Sequence, residues 1–203
     1  MYDAPPAADL RRRRHLLTLA LASAWPAARA QVTVEGYTYA PTVELGGRTL
    51  RLNGVGLRAV AWFKGYAAGL YLGPRVSSTE GVLADAGPKR LRMRMFIDVP
   101  TGEFVKAFYK GIARNTPPAQ QPALAARMQR FDLMVNSLRE VKKNDIVDLD
   151  YLPGEGLLFI YNGRSVGEPL AGVDFYDALL RIFIGGRPVD KEMKIGLLGG
   201  PVG

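Results

Sequence analysis

Residues 52–72 constrain this chain more than any other stretch: Leu-Asn-Gly-Val-Gly-Leu-Arg-Ala-Val-Ala-Trp-Phe-Lys-Gly-Tyr-Ala-Ala-Gly-Leu-Tyr-Leu. Apolar and aromatic residues dominate, charges are few and proline is absent. The stretch reads as two β-strands meeting near Ala61-Trp62-Phe63. Arg58 is the charge that needs explaining. In a hairpin centred on Trp62, Arg58 faces Tyr66 across the pair. In one continuous strand the two residues are eight apart, an even spacing that again puts them on one face. Either way a guanidinium and a phenol share one side of a sheet. If that side is covered, the pair is a receptor for a carboxylate or phenolate. The plainer alternative is that Arg58 snorkels to solvent or pairs with a nearby carboxylate.

The rest of the chain limits the chemistry available to such a pair. Cysteine is absent, and the single histidine is His15. Disulfides, thiolate nucleophiles and thiolate metal sites are therefore excluded. So, beyond residue 15, are Ser-His-Asp triads, His-ligated zinc and histidine proton shuttles. Chemistry has to run on Arg, Lys, Tyr, carboxylates and hydroxyls. No metal and no cofactor is expected, and a haem would need Tyr, Met or Lys as its axial ligand.

Residues 1–30 have the three parts of an export signal. Arg11 to Arg14 form the charged region, Leu16 to Trp25 an alanine-rich apolar region, and Ala28-Arg29-Ala30 a small-x-small cleavage site. Cleavage after Ala30 would start the mature chain at Gln31 and place it in the periplasm. Arg13-Arg14-His15-Leu16-Leu17 resembles the twin-arginine pattern, and an ordinary Sec charged region reads equally well. Of 27 basic and 19 acidic residues, five and two lie before residue 31, so the remainder carries 22 and 17, net +5. That permits attraction to anionic ligands or lipid headgroups. It lacks the basic stripe interleaved with aromatics that marks a nucleic-acid binder. No run of eighteen apolar residues is present, so no membrane span is expected, and contact with a membrane could only be peripheral.

In order along residues 31–203, which suit one domain, Gln31 to Thr38 alternates valine with polar residues as a first strand does. Val43 to Arg51 holds a strand pair turning at Gly46-Gly47, and the 52–72 hairpin ends at Gly73-Pro74. Ser77 or Ser78 caps a short helix reaching about Asp85, with Glu80 offering a weak capping box. Leu91 to Ile97 is a partly buried strand whose Arg92 and Arg94 read as a solvated face. Thr101 is the expected N-cap of a helix ending at Asn115, with Phe104, Ala107, Phe108 and Ile112 inward. A second helix, from about Pro122 to Leu138, buries Leu124, Met128, Phe131, Val135 and Leu138. Met128 and Phe131 read there as plain core or as an adaptable ligand gate.

Ile146 to Leu152 and Gly156 to Tyr161 are strands, Asn162-Gly163 is a type I′ turn signal, and Arg164 to Pro169 is a short edge strand. Val173 to Ile184 is a helix, and Asp190 caps a last one. Nearly every strand link is of hairpin length. The sheet should be mostly antiparallel with helices layered on one face, an α+β fold. Gly54-x-Gly56 lacks the strand-loop-helix setting of a phosphate loop.

Four segments together resemble the chalcone isomerase-like family, in its exported bacterial branch. They are the 52–72 hairpin, Val99-Pro100-Thr101-Gly102-Glu103-Phe104 with its helix, Asn162-Gly163 with Gly167-Glu168-Pro169-Leu170, and Phe183-Ile184-Gly185-Gly186-Arg187-Pro188-Val189-Asp190. The resemblance covers most of residues 32–198. It implies an open-faced β-sandwich, with a long antiparallel sheet, a helical layer and a ligand cleft between them. The family holds plant isomerases that close a phenolate onto an enone, fatty-acid-binding members and uncharacterised bacterial members. The resemblance makes Arg58 the family arginine and Tyr66 the hydroxyl partner. Where the isomerases carry a helix tyrosine, lysine and asparagine, this chain has Val105, Phe108 and Ile112. Ala178 and Leu179 stand where late polar contacts would be. Tyr109 and Lys110 could substitute only if the helix were rotated off its Phe104-Phe108-Ile112 stripe.

Three functions follow as expectations. The first is non-catalytic binding of a fatty acid or other amphipathic acid, held by Arg58 and Tyr66. The second is an intramolecular lyase acting on chalcone-like enone phenols, with the same two residues as its catalytic groups. The third is an envelope scaffold or assembly partner in which Arg58 is structural.

Overall fold

The computed structural model describes residue 1, residues 31–60 and residues 63–202. The export-signal expectation, His15 and Trp62 lie outside the described residues. Strands β3 (Thr42–Leu45), β4 (Arg48–Val60), β5 (Phe63–Leu72), β6 (Lys89–Met95), β9 (Ile146–Leu152), β10 (Gly156–Tyr161) and β11 (Arg164–Ser165) form one sheet. Its order is β11-β10-β9-β6-β5-β4-β3, and every neighbouring pair is antiparallel. Two small pairs accompany it, β1 (Val32–Val34) with β2 (Tyr37–Tyr39) and β7 (Val99–Pro100) with β8 (Glu140–Val141). Helices α1 (Thr79–Ala84), α2 (Thr101–Asn115), α3 (Gln121–Asn136), α4 (Val173–Ile184) and α5 (Lys191–Leu197), with a 3-10 turn at Pro118–Gln120, complete the elements of the described residues. The expected antiparallel α+β fold is what the sequence forms.

The sheet sorts its two faces by the alternation of β5. Ala68, Leu70 and Leu72 join the main core with residues of α2 to α5, while Ala67 and Tyr71 join a smaller core on the other face. The β1–β2 hairpin covers part of that second face, and Tyr39 packs so close to Gly69 that a Cβ there would lie 2.6 Å from its ring. Residues 31–38 are thus two strands and not one. Glu35 and Gly36 both take positive φ, 49° and 76°, and turn the chain back. Glu-Gly is not among the usual turn pairs for this geometry, which favours Asn or Asp before the glycine.

Asn53 makes a bulge in β4: Leu52 pairs with Tyr71 and Gly54 with Leu70, leaving Asn53 as the extra residue. Its amide side chain donates to the carbonyls of Val76 at 2.9 Å and Leu197 at 2.8 Å and accepts from the Val76 N–H at 2.8 Å. Just beyond it α5 crosses β4 backbone to backbone. A Cβ on Gly54 would lie 2.0 Å from the Gly196 carbonyl oxygen, and one on Gly56 would lie 2.3 Å from that of Met193. The Gly54-x-Gly56 pair is therefore a seat for a helix.

Two further expectations are corrected. Arg92 is not on a solvated face: its guanidinium grips Asp148 through two hydrogen bonds, at 2.7 and 2.8 Å. Arg90 does the same to Asp150 at 2.7 and 2.6 Å, and both carboxylates are buried. Arg94 bonds Asn144 and stacks 5.1 Å from the centre of the Tyr37 ring. Tyr37 of the β1–β2 hairpin covers Arg94, and the two aspartates answer the charges of Arg90 and Arg92. Thr101 is the first residue of α2 and not its cap. Its hydroxyl and N–H both donate to the Arg139 carbonyl, at 3.0 and 3.2 Å, and Pro100 stands at the cap position without a side-chain bond.

The β4–β5 ribbon outruns its neighbours. Strand β3 pairs only with Arg48 to Arg51, and the β5–β6 ladder begins at Tyr66 with Met95. One more bond, Phe96 N–H to the Gly65 carbonyl at 2.9 Å, ends that support. Past it, the two strands have only each other within the sheet.

Candidate ligand-binding site

Between the sheet and the helical layer lies a cavity of about 90 Å³. Strands β5, β6, β9 and β10 supply its floor through Tyr66, Met93, Val147 and Phe159, among others, and α2 supplies Phe104, Val105 and Phe108. Helix α4 adds Leu179, Ile182 and Phe183, and Val189 follows it. Tyr66 is the one lining residue with a hydroxyl, and the others are all apolar or thioether side chains. This follows from β-alternation meeting helical periodicity, because each element turns its apolar stripe to the same space.

Arg58 and Tyr66 are directly opposed on β4 and β5. The hairpin alternative is the one that forms, and the register shifts by one between Arg58 and Ala59, so that Ala59 pairs with Lys64 and Val60 with Phe63. Tyr66 stands in the cavity wall. Arg58 is beside the cavity and not among its lining residues. Its Nη1 donates to Asp190 Oδ2 at 3.1 Å and, more weakly, to the Ala59 carbonyl at 3.4 Å. The side chains are 28% and 16% exposed, so the pair is half-sheltered and not sealed.

Asp190 is set by three elements. The Val189 N–H donates to the Ile182 carbonyl of α4 at 2.7 Å. Asn115, the last residue of α2, accepts from the Arg187 N–H and donates to the Arg187 carbonyl, each at 2.9 Å. Asp190 Oδ1 accepts from the N–H groups of Glu192 and Met193 at 2.9 and 3.0 Å and so caps α5. One carboxylate therefore caps a helix with one oxygen and holds Arg58 with the other. The sequence identifies Asp190 as a cap. Its second role was hidden because residues 58 and 190 are far apart in the chain and only the fold joins them.

Burial pushes the Tyr66 phenol well above its usual range; Arg58 opposes the shift and Asp190 adds to it. The group stays protonated at ordinary pH and offers a hydrogen-bond donor at the cavity wall. Arginine, phenol and carboxylate form a polar end with no net charge beside an apolar void.

The remaining candidates are placed as follows. Val105 and Phe108 line the cavity, as does Leu179, whereas Ile112 and Ala178 are buried in the core without lining it. Tyr109 turns to α3, where its hydroxyl donates to Asp132 Oδ2 at 3.2 Å, and Lys110 is exposed. Of the Met128 and Phe131 pair, Phe131 lines the cavity and Met128 sits in the core. Among the described residues no cluster of three or more carboxylates or histidines could hold a metal ion. No described helix is long and apolar enough to cross a membrane.

Comparison with known proteins agrees with this architecture. No curated protein matches the sequence. Among solved structures, a fatty-acid binding protein of Arabidopsis thaliana superposes with a TM-score of 0.62 at 16% identity, over 84% of this chain and 96% of that one. That likeness is one of fold. Residues 31–199 match the chalcone isomerase-like family. With sheet, helical layer and cleft in place, the chain belongs to the chalcone isomerase-like family.

Proposed function

We propose that the protein binds an amphipathic acid, such as a fatty acid, without turning it over. Arg58 anchors the carboxylate, Tyr66 donates a second hydrogen bond, and the apolar cavity takes the tail. The observation that carries this reading is the juxtaposition of an all-apolar cavity, broken only by Tyr66, with a half-sheltered arginine opposite that residue. The solved structure with the same fold is described as a fatty-acid binding protein, which supports the same class of ligand. Ring closure on an enone phenol would need further donors at the carbonyl, and the wall here offers only Tyr66.

A volume of about 90 Å³ is smaller than the roughly 150 Å³ void that accommodates benzene in a packed core. A long tail therefore requires α2 to yield at Phe104 and Val105, the half-buried part of the wall. Residues 1–30 are read as a removable export signal, which puts the binding protein in the periplasm. The family match beginning at residue 31 supports that division.

The test is native mass spectrometry of the protein recovered from the periplasm, beside Arg58→Leu. An organic acid carried by the first and missing from the second is the expected result. Equal occupancy in both would remove Arg58 as the anchor. An empty wild-type protein that also ignores added acids, but retains a partner protein, would favour the scaffold reading.

A further inference from the structure

Arg58 does not wait for a ligand with its charge unanswered. Asp190 Oδ2 lies 3.1 Å from Nη1, and Asp190 is held there by the α5 cap and by the pinned loop before it. Any carboxylate reaching Arg58 meets a second carboxylate of the same charge already on the same guanidinium. We propose that Asp190 is a built-in competitor that sets the affinity and head-group selectivity of the site. An acid binds by taking Arg58 from Asp190 Oδ2, while Oδ1 keeps the cap. This inference rests on the reading of Arg58 as the carboxylate anchor.

The physical argument is one of exchange. Two carboxylates compete for one half-sheltered guanidinium, so the bonds lost and gained are of one kind. The internal carboxylate has the advantage of being tethered in place, which acts as a high effective concentration. Only acids whose tails gain enough from the cavity displace it. Short, polar acids that lack a tail are turned away. A neutral head group does not compete for the guanidinium and is indifferent to Asp190. The arrangement is thus a threshold on tail burial, built from one side chain with two oxygens in two different tasks.

Isothermal titration of protein produced from the full 203-residue chain tests this, with decanoate and 1-decanol as probes. The proteins are wild type, Asp190→Asn, Asp190→Ser and Arg58→Leu. Both Asp190 variants keep a capping oxygen and remove the competing charge. Both are expected to bind decanoate about tenfold more tightly, a gain of about 1.4 kcal/mol, with 1-decanol affinity unchanged within about twofold. Acetate should compete with decanoate measurably in the variants and not in wild type. If Arg58→Leu loses decanoate while both Asp190 variants bind it no better than wild type, the competitor role is overturned and the anchor stands. If Arg58→Leu binds decanoate as wild type does, the anchor itself fails. A gain for 1-decanol equal to that for decanoate would mean a general loosening of the cleft and would also overturn the proposal.

Discussion

Asn53 and Arg58 lie five residues apart on β4 and show how much a single polar side chain can decide in an apolar strand. Asn53 is buried and makes all three of its hydrogen bonds to main chain, joining the bulge, the loop at Val76 and the end of α5. Asn53→Ala would leave those three main-chain groups without their partner, the Leu197 carbonyl in a buried place and the two groups of Val76 in a part-buried one. A loss of about 2–4 kcal/mol in urea unfolding is expected, and a loss under about 1 kcal/mol would mean that water replaces the amide. Arg58 was legible as a candidate from the sequence because a charge in such a strand needs a reason. Asp190 was legible only as a cap, since its partner is 132 positions away.

At the scale of elements, alternation and helical stripes made most strands and helices readable before the fold was known. What escaped were features set by two elements meeting. The Glu35-Gly36 turn depends on a non-glycine residue accepting a left-handed φ, and no local signal announces it. The Arg90–Asp150 and Arg92–Asp148 pairs did have a signal: arginines at alternate positions of one strand and aspartates at alternate positions of another. The signal becomes meaningful only when those strands are known to be neighbours. The same holds for Gly56, which the sequence shows only to be no part of a phosphate loop and which proves to be where α5 sits. Gly56→Ala should cost about 2–3 kcal/mol, because the atom met is backbone and cannot turn aside. Gly65→Ala is the control: its nearest neighbour, the Arg58 carbonyl oxygen, would be 3.6 Å away, and thermal unfolding should hardly move.

At the scale of the whole molecule, aromatic hydroxyls are packed into both faces of the sheet. Burial is the main cause that raises the phenols of Tyr39, Tyr66 and Tyr176 well above the usual value, and it pushes Tyr71 and Tyr161 up to about 12. Above pH of about 10 the unfolded chain gives up these protons and the folded one keeps them, so stability falls as pH rises through that range. The part of the phenolate absorbance that belongs to these five tyrosines should therefore appear together with the loss of helical circular dichroism, in one steep alkaline transition. Ionisation of all nine tyrosines with the helices intact would contradict the burial described for these five. The separation of faces also explains how far the site could be read in advance. An apolar cleft is the sum of many ordinary stripes, and no single residue among them advertises it.

The two strands that carry Arg58 and Tyr66 run on beyond the rest of the sheet. In mechanical terms the ribbon is a cantilever, and the Arg58–Tyr66 rung lies at its root, where the β6 ladder ends and a Lys64–Glu35 ion pair takes over as a tie to the β1–β2 hairpin. A beam fixed at one end concentrates bending at the fixed end. A load on the ribbon past this rung is shared between the rung that holds the guanidinium and the phenol and the Lys64–Glu35 tie.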